Sequence, residues 1–366
     1  MEIVKSFVDE MAQNKKFVAH QIESYNDFVK RRLQETVNDI GKITIELPTG
    51  EELYIKLGKI SLGSPQTREA DGSVREILPL EARIRNITYS SPLFVEMTPV
   101  FEGREHSTEE VEIGEIPIMA QSALCKLSRM TRGELIDAGE DPNDSGGYFI
   151  INGTERVLIL SEEIAPNRLI LQKDADEITA RLDAEKGGYT QRHAFRRTPE
   201  GIIDVGFASL SSNPVPIVVL LKALGFESDK EVLDAITDKE DEMEDVFINL
   251  YDARLNNKEE AIEYIGKKLK IRQQEQIPER VLHILDNYLL AYMGTTPEDR
   301  IKKAKYLGVV MNNLIRLNKG KIAAEDLDHY ANKRLKMSGD LLDTLFRSII
   351  MGRWGLVARL QYNYQK

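Results

Sequence analysis

The sequence predicts an α+β chain of antiparallel sheets with packed helices, arranged as two domains, the second inserted in the first. Three observations carry this. Between residues 42 and 119, short apolar runs alternate with polar residues and are broken by Pro and Gly, as antiparallel strands are. From residue 167 a second set of strand-like runs gives way to a long series of helical periodicities. A chain of 366 residues also exceeds what one hydrophobic core usually holds, which makes two domains the expectation.

The first elements follow from spacing. Phe17, Val18, Ile22, Tyr25, Phe28, Val29, Leu33 and Val37 recur at three- and four-residue steps, which predicts one or two helices ending near Gly41. The runs "KITIELP", "EELYIKLGKISLG", "EARIRNITYSSPLFVEMTPVFEG" and "EEVEIGEIPIM" read as strands. Thr131 and Glu134 have capping-box spacing, so "GELIDAG" reads as a short helix closed by Gly139. In "SGGYFIINGTERVLIL" the pair Asn152-Gly153 lies between apolar runs, a strong signal for a hairpin with a type I′ turn. Its second strand is expected to put Glu155, Val157 and Ile159 on one face and Arg156, Leu158 and Leu160 on the other. A phosphate-binding loop would need glycine backbone opening into a helix, usually with Gly-Lys-Ser/Thr, and the stretch has none.

The second set of strands covers "RLILQKDADEITARLDAEKGGYTQRHAFRRTPEGIIDVGFASL", with turns at Gly187-Gly188 and Pro199-Glu200-Gly201. Helices are expected in "VPIVVLLKALGFESDKEVLDAITDKEDEMEDVFINLYDA", "KEEAIEYIGKKL" and "ERVLHILDNYLLAYMG". The acidic run "DKEDEMED" reads as a solvated face, since no histidine accompanies it for a metal site. Thr296-Pro297-Glu298-Asp299 starts a helix that buries Ile301, Ala304, Leu307, Met311, Leu314 and Ile315 and stops at Gly320. Ser338 is placed to cap a last helix running to the end of the chain. Because the sequence stops inside that pattern, a truncated subunit is the expectation. The expected domain segments are 1–166, 167–295 (inserted) and a helical return over 296–366.

Charge and composition narrow the function. The net charge is −11, yet residues 301–366 hold 13 Lys and Arg against 5 Asp and Glu, which suggests a basic face on an acidic body. No apolar run is long enough to span a bilayer, and the N-terminus lacks the basic start and unbroken apolar stretch of a secretory signal. Cys125 is the single cysteine and lies among apolar residues, so it reads as a small buried hydrophobe with no disulfide or thiolate metal site. A cytoplasmic chain is expected, with the sequons at Asn86 and Asn152 as chance matches. His20, His106, His193, His283 and His329 show no metal-helix pairing and no nucleophile motif. No catalytic residue, metal ligand or cofactor site is therefore assigned. The most informative polar run is "EDLDHYANKRLKMSGDLL". Its Lys333 and Arg334 could contact phosphates while His329 or Tyr330 stacks or donates a hydrogen bond. Equally, it could be a plain helix junction in which Asp328 pairs with Arg334.

Two segments, "GEDPNDSGGYFIINGTERVLIL" with "APNR" and "DHYANKRLKMSGDLL" with "LFR", strongly resemble the second-largest subunit of multisubunit RNA polymerases. "HQIESYNDFVKRRLQ", "ITYSSPLFVEM", "GEIPIMAQSALCKL" and "VPIVVLLKALGFESDKEVLDAI" resemble, in order, the archaeal split form of that subunit, B double-prime. The resemblance covers nearly the whole chain. It implies a protrusion domain with an inserted lobe, forming one wall of the DNA cleft. It implies other polymerase subunits, DNA, the RNA–DNA hybrid and initiation or elongation factors as partners, with no membrane and with the catalytic Asp cluster on another chain. It also places Arg156 near the path of the hybrid, with Lys333, Arg334 and His329 close by as nucleic-acid contacts. Two departures bear on this: Glu162-Glu163 stands where relatives tend to have a basic residue, and Ala331 stands where they often have Gly. A protein-docking module with little nucleic-acid contact is the alternative.

Overall fold

The computed structural model describes residues 4–6, 10, 16–46, 52–174, 177–255, 257–352 and 355–364. Most of the first fifteen residues lie outside them. From Lys16 the chain is helical to Ile40, and Tyr25, Phe28, Leu33 and Val37 are buried while Phe17, counted in the expected stripe, is exposed. Five residues separate Phe28 from Leu33, which in a regular α-helix would turn them onto different faces. The stretch Phe28–Arg32 is wound as a π-helix, with the Leu33 N–H bonded to the Phe28 carbonyl, and this keeps both side chains in the core. Gly41, at φ +61, ends the run.

Strands β1 (Lys42–Glu46), β2 (Glu52–Leu62), β5 (Ser90–Phe101), β6 (Arg104–Glu105) and β7 (Glu109–Pro117) form one antiparallel sheet, with β3 (Gln66–Arg68) and β4 (Val74–Glu76) as a separate hairpin. Central β5 pairs with β2 from Leu62↔Leu93 to Leu53↔Phe101 and with β7 from Ser90↔Pro117 to Met97↔Glu109. One expected strand is corrected: Pro79–Ile84, at the start of "EARIRN", is a helix with Pro79 in its first turn and Glu81 beside it. The apolar alternation there misleads, because Ile84 is exposed while Pro79 and Ala82 are buried. The capping box of Thr131 and Glu134 is formed over Arg132–Asp137.

The hairpin forms as expected, with β8 (Phe149–Ile151) paired to β9 (Thr154–Arg156) through Phe149↔Arg156 and Ile151↔Thr154. Asn152 and Gly153 take φ +49 and +74, the signs a type I′ turn requires. The second strand is shorter than expected. It ends at Arg156, Val157 and Ile159 are exposed, and β10 (Ser161–Ile164) starts a new pairing with β16 (Lys333–Lys336).

The chain divides into two compact units, residues 1–162 with 335–366 and residues 163–334. In the second, β11 (Leu169–Lys173), β12 (Ile178–Lys186), β13 (Tyr189–Arg197), β14 (Ile203–Phe207) and β15 (Val215–Pro216) form a sequential antiparallel meander. Six helices pack with it: Ile217–Leu224, Asp229–Ile236, Glu240–Ala253, Lys258–Lys268, Ile277–Asn287 and Arg300–Asn318. All eight residues of Ile217–Leu224 are buried. The helix Arg300–Asn318 sends Ala304, Leu307, Met311, Leu314 and Ile315 into this same core, so by packing it belongs with residues 163–334, where the sequence reading assigned it to the return. Ile301, expected among the buried residues, is 40% exposed. Lys303 is fully buried on that helix, donates to the Leu285 and Asp286 carbonyls at 3.0 and 2.7 Å, and is lowered by burial to a pKa of about 8.

The return after residue 335 is two helices, Ser338–Met351 and Leu356–Tyr364, where the sequence suggested one. Ser338 is not a cap. Its N–H and Oγ both donate to Gln21, at 2.9 Å each, and the Asp340 carboxylate takes the Met337 N–H instead.

Two measurements test these assignments. A Cβ on Gly153 would lie 2.7 Å from the Asn86 Cα, and φ there is positive. Gly153→Ala is therefore expected to lower the unfolding free energy by about 2 kcal/mol in urea titration. His193 is fully buried: Nε2 accepts from the Leu290 N–H at 3.1 Å, so Nδ1 donates to the Gln191 carbonyl at 3.0 Å and the ring is neutral. Burial lowers its pKa from 6.5 to about 4. Below pH 6.5 the unfolded chain takes up a proton that the folded chain refuses. The His193 contribution to stability thus declines as pH falls toward 4, by about 3 kcal/mol in all. The urea midpoint of the wild type should fall more between pH 7.5 and 5 than that of His193→Gln.

Candidate nucleic-acid interface

The run around residue 330 is a braced turn, not a helix junction. Tyr330–Asn332 form one 3-10 turn leading into β16. Asn332 is buried and holds it. Its Nδ2 donates to the Asp326 carbonyl at 2.5 Å, its N–H to the His329 carbonyl at 2.9 Å, and its own carbonyl accepts the Ala165 N–H at 2.8 Å. Arg168, just before β11, donates to the Ala331 carbonyl at 3.1 Å and faces Glu325 at 3.5 Å. The Glu325 N–H is bonded in turn to the Leu171 carbonyl at 2.7 Å. A turn tied at so many backbone groups holds what it displays in one place.

What it displays is polar and accessible. Tyr330 is 82% exposed. His329 is exposed, and its Nδ1 accepts the Ala331 N–H at 3.1 Å, which leaves Nε2 as the ring's donor. Arg334 is exposed and lies along its own backbone, donating to the Lys333 and Ala331 carbonyls at 2.8 and 3.3 Å. Its expected pairing with Asp328 is not formed. The partner of Asp328 is Lys333, at 3.4 Å, and Asp328 is itself almost fully exposed. The Lys333 side chain is 22% exposed, less accessible than those of His329, Tyr330 and Arg334. Guanidinium, ammonium, imidazole and phenol side chains on one rigid turn can contact phosphates and stack on bases.

Arg156 is the exposed last residue of β9, and no hydrogen bond or ion pair engages its side chain among the described residues. It belongs to the first unit, and His329, Lys333 and Arg334 to the second. The hairpin carrying Arg156 is held by Arg83, which the sequence reading did not single out. Arg83 donates to Glu155 at 2.7 Å, to both oxygens of Glu140 at 2.9 and 3.0 Å, and to the Tyr148 hydroxyl at 2.7 Å. Burial alone would lower the Arg83 pKa, but Tyr148, Glu140 and Glu155 outweigh it and the net shift is upward. Burial, and then the bond from its hydroxyl to Asp144, push Tyr148 up. Arg83 carried no signal in one sequence, because its partners Glu140, Tyr148 and Glu155 are far away along the chain, whereas Asn332 lies inside the segment "DHYANKRLKMSGDLL".

Cys125 is fully buried beside Tyr89, and burial raises its thiol pKa. Among the described residues no group of three or more His, Cys, Asp or Glu side chains is placed to hold a metal ion, and no helix is long and apolar enough to cross a membrane.

Together the fold and the turn define a two-unit α+β protein that displays cations and an aromatic ring from a braced segment. The chain belongs to the RNA polymerase beta subunit family, which it matches over residues 16–359. It is 43% identical over 362 residues to DNA-directed RNA polymerase subunit Rpo2N of Methanocaldococcus jannaschii, covering 95% of this chain and 72% of that protein. It is 40% identical over 355 residues to Rpo2N of Methanococcus vannielii, covering 93% and 70%. Against DNA-directed RNA polymerase subunit Rpo2 of Saccharolobus solfataricus the identity is 40% over 341 residues, and the chain spans only 30% of that longer protein.

Arg83→Ala would leave Glu140, whose side chain is only 6% exposed, charged and unpaired. The expected loss in urea unfolding is about 3 kcal/mol, with part recovered in the double variant Arg83→Met, Glu140→Gln.

Proposed function

We propose that this chain is a structural part of a DNA-directed RNA polymerase, forming one wall of the DNA cleft and contacting nucleic acid through Arg156, His329, Lys333 and Arg334. On this reading it is the N-terminal portion of the second-largest subunit, in the archaeal split form B double-prime, acting in the cytoplasm. The unit of residues 1–162 and 335–366 is the protrusion and the unit of 163–334 is the lobe. Nucleotidyl transfer is carried out by residues of other chains or regions. The other polymerase subunits, DNA, the RNA–DNA hybrid and initiation or elongation factors are the partners.

One observation supports this reading most. The second of the two segments that first suggested a polymerase folds into a turn whose bracing is buried while His329, Tyr330 and Arg334 stay exposed. A turn serving only the fold would have no need to display them. The rest of the body is acidic, so binding should depend on a few placed cations and be sensitive to salt.

The test is fluorescence anisotropy of a labelled RNA–DNA hybrid against this chain over a salt series. Lys333→Ala with Arg334→Ala should weaken binding for all sequences alike and reduce the slope of log K against log salt by up to about 2. An unchanged slope would remove both residues as phosphate contacts.

A further inference from the structure

The acidic run at residues 238–245 is not one surface. On the helix Glu240–Ala253 its carboxylates are divided between two faces. Toward the unit's own core, Glu242 is buried and takes bonds from Lys321 at 2.7 Å, Thr237 at 2.7 Å and Asn312 at 2.9 Å, and Lys321 first of all holds its pKa down to about 2. Asp245 is held by Arg197 at 2.9 Å and Lys319 at 3.1 Å, and Asp241 is paired with Lys321. One turn further on, the Asn249 side chain is bonded to the Ile203 N–H at 2.8 Å and the Gly201 carbonyl at 2.9 Å. These bonds engage Asp241, Glu242 and Asp245, the carboxylates of the run on this face, and fix the helix in place.

The opposite face differs in both respects. Phe247 is 54% exposed, Tyr251 77% and Ile248 38%, and with Met243 they occupy successive turns. Glu240 and Glu244 line the same surface groove, and neither has a hydrogen-bonding or ion-pair partner among the described residues. Among the described residues no Lys or Arg lines the groove, and Arg254 lies at its end, over the Tyr251 ring at 5.5 Å. Three large apolar side chains in a row on a solvated helix, rimmed by unneutralised carboxylates, mark an interaction surface. The spacing 243, 247, 251 is what a helix lying alongside would meet.

We propose that this stripe docks a basic amphipathic helix of a partner protein. Its apolar face covers Met243, Phe247, Ile248 and Tyr251, and its lysines or arginines face Glu240 and Glu244. Charge selects the partner: the groove repels an acidic helix of the same apolar pattern and gives phosphates no cation beyond Arg254. The proposal rests on the preceding reading only for the presence of partner proteins, and nucleic-acid binding by the turn at 329–334 could fail without touching it.

The probe is an idealised Leu/Lys peptide with Leu at i, i+3, i+4 and i+7, titrated into the full chain by calorimetry, beside a Leu/Glu peptide of the same pattern and a scrambled Leu/Lys peptide. The Leu/Lys helix should bind at least about tenfold more tightly than either control. Phe247→Ser with Tyr251→Ser should weaken it about tenfold, since aromatic anchors dominate such surfaces. Glu240→Lys with Glu244→Lys should transfer the preference to the Leu/Glu peptide. All four positions are exposed, and unchanged circular dichroism would show that the variants fold. Equal binding of the three peptides, or binding that ignores both variants, would overturn the proposal. So would concentration-dependent self-association in sedimentation that Tyr251→Ser abolishes, because the occupant would then be a second copy.

Discussion

The first unit depends on one close contact between segments more than 300 residues apart in sequence. Gly339 packs against the Ser24 carbonyl so tightly that a Cβ would lie 2.1 Å from the Ser24 oxygen. Around it Ser338 bonds Gln21 twice, the Gly339 N–H bonds the Ser24 hydroxyl at 3.0 Å, and Arg32 reaches Asp340 at 2.5 Å. Thr36 to Asp343 and Arg347 to Asp39 continue the seam at 3.0 and 2.8 Å. Below it Phe28 and Phe346 meet edge to face at 6.4 Å. A glycine at the crossing lets the backbones approach, and the approach brings the polar side chains within reach of one another. The residues between can then form a unit of their own.

That second unit is stabilised differently. Its core is a single cluster around the helix Ile217–Leu224, and its polar residues are placed where backbone ends would otherwise go unpaired. Lys303 takes two carbonyls at the end of the helix Ile277–Asn287, Asn249 bridges the turn at Gly201, and His193 joins Gln191 to Leu290. Each of these three completes backbone bonds that would otherwise be left unpaired in the core. Asn332 does the same for the turn that bears Lys333 and Arg334.

Much of this was legible in the sequence where the cause is local. Asn-Gly needs no tertiary help to turn a hairpin, Thr131 and Glu134 cap each other within one turn, and Gly187-Gly188 joins two strands directly. The reading failed where burial and packing decide between arrangements that the residue pattern leaves open. "EARI" alternates like a strand but is helical, because Pro79 starts a turn whose Ala82, and not Ile84, faces the core. The helix Arg300–Asn318 shows the same periodicity whichever unit it packs with, so its place could not be read from spacing. In the candidate site, the residue types at 329–334 were visible but not the pairing. Asp328 reaches Lys333 and not Arg334, whose guanidinium is drawn back onto the Lys333 and Ala331 carbonyls.

On the proposed function, the turn at 329–334 meets nucleic acid in an assembled polymerase. The most direct measurement places a photoreactive benzoylphenylalanine at Tyr330, which is exposed and makes no described bond that the change would break. The chain is then assembled with the remaining subunits on a labelled RNA–DNA scaffold and irradiated. Crosslinks to the DNA or RNA strand, absent when the probe is moved to exposed Tyr251, are the expected result. Crosslinks only to neighbouring protein, from an assembly that transcribes normally, would contradict the account.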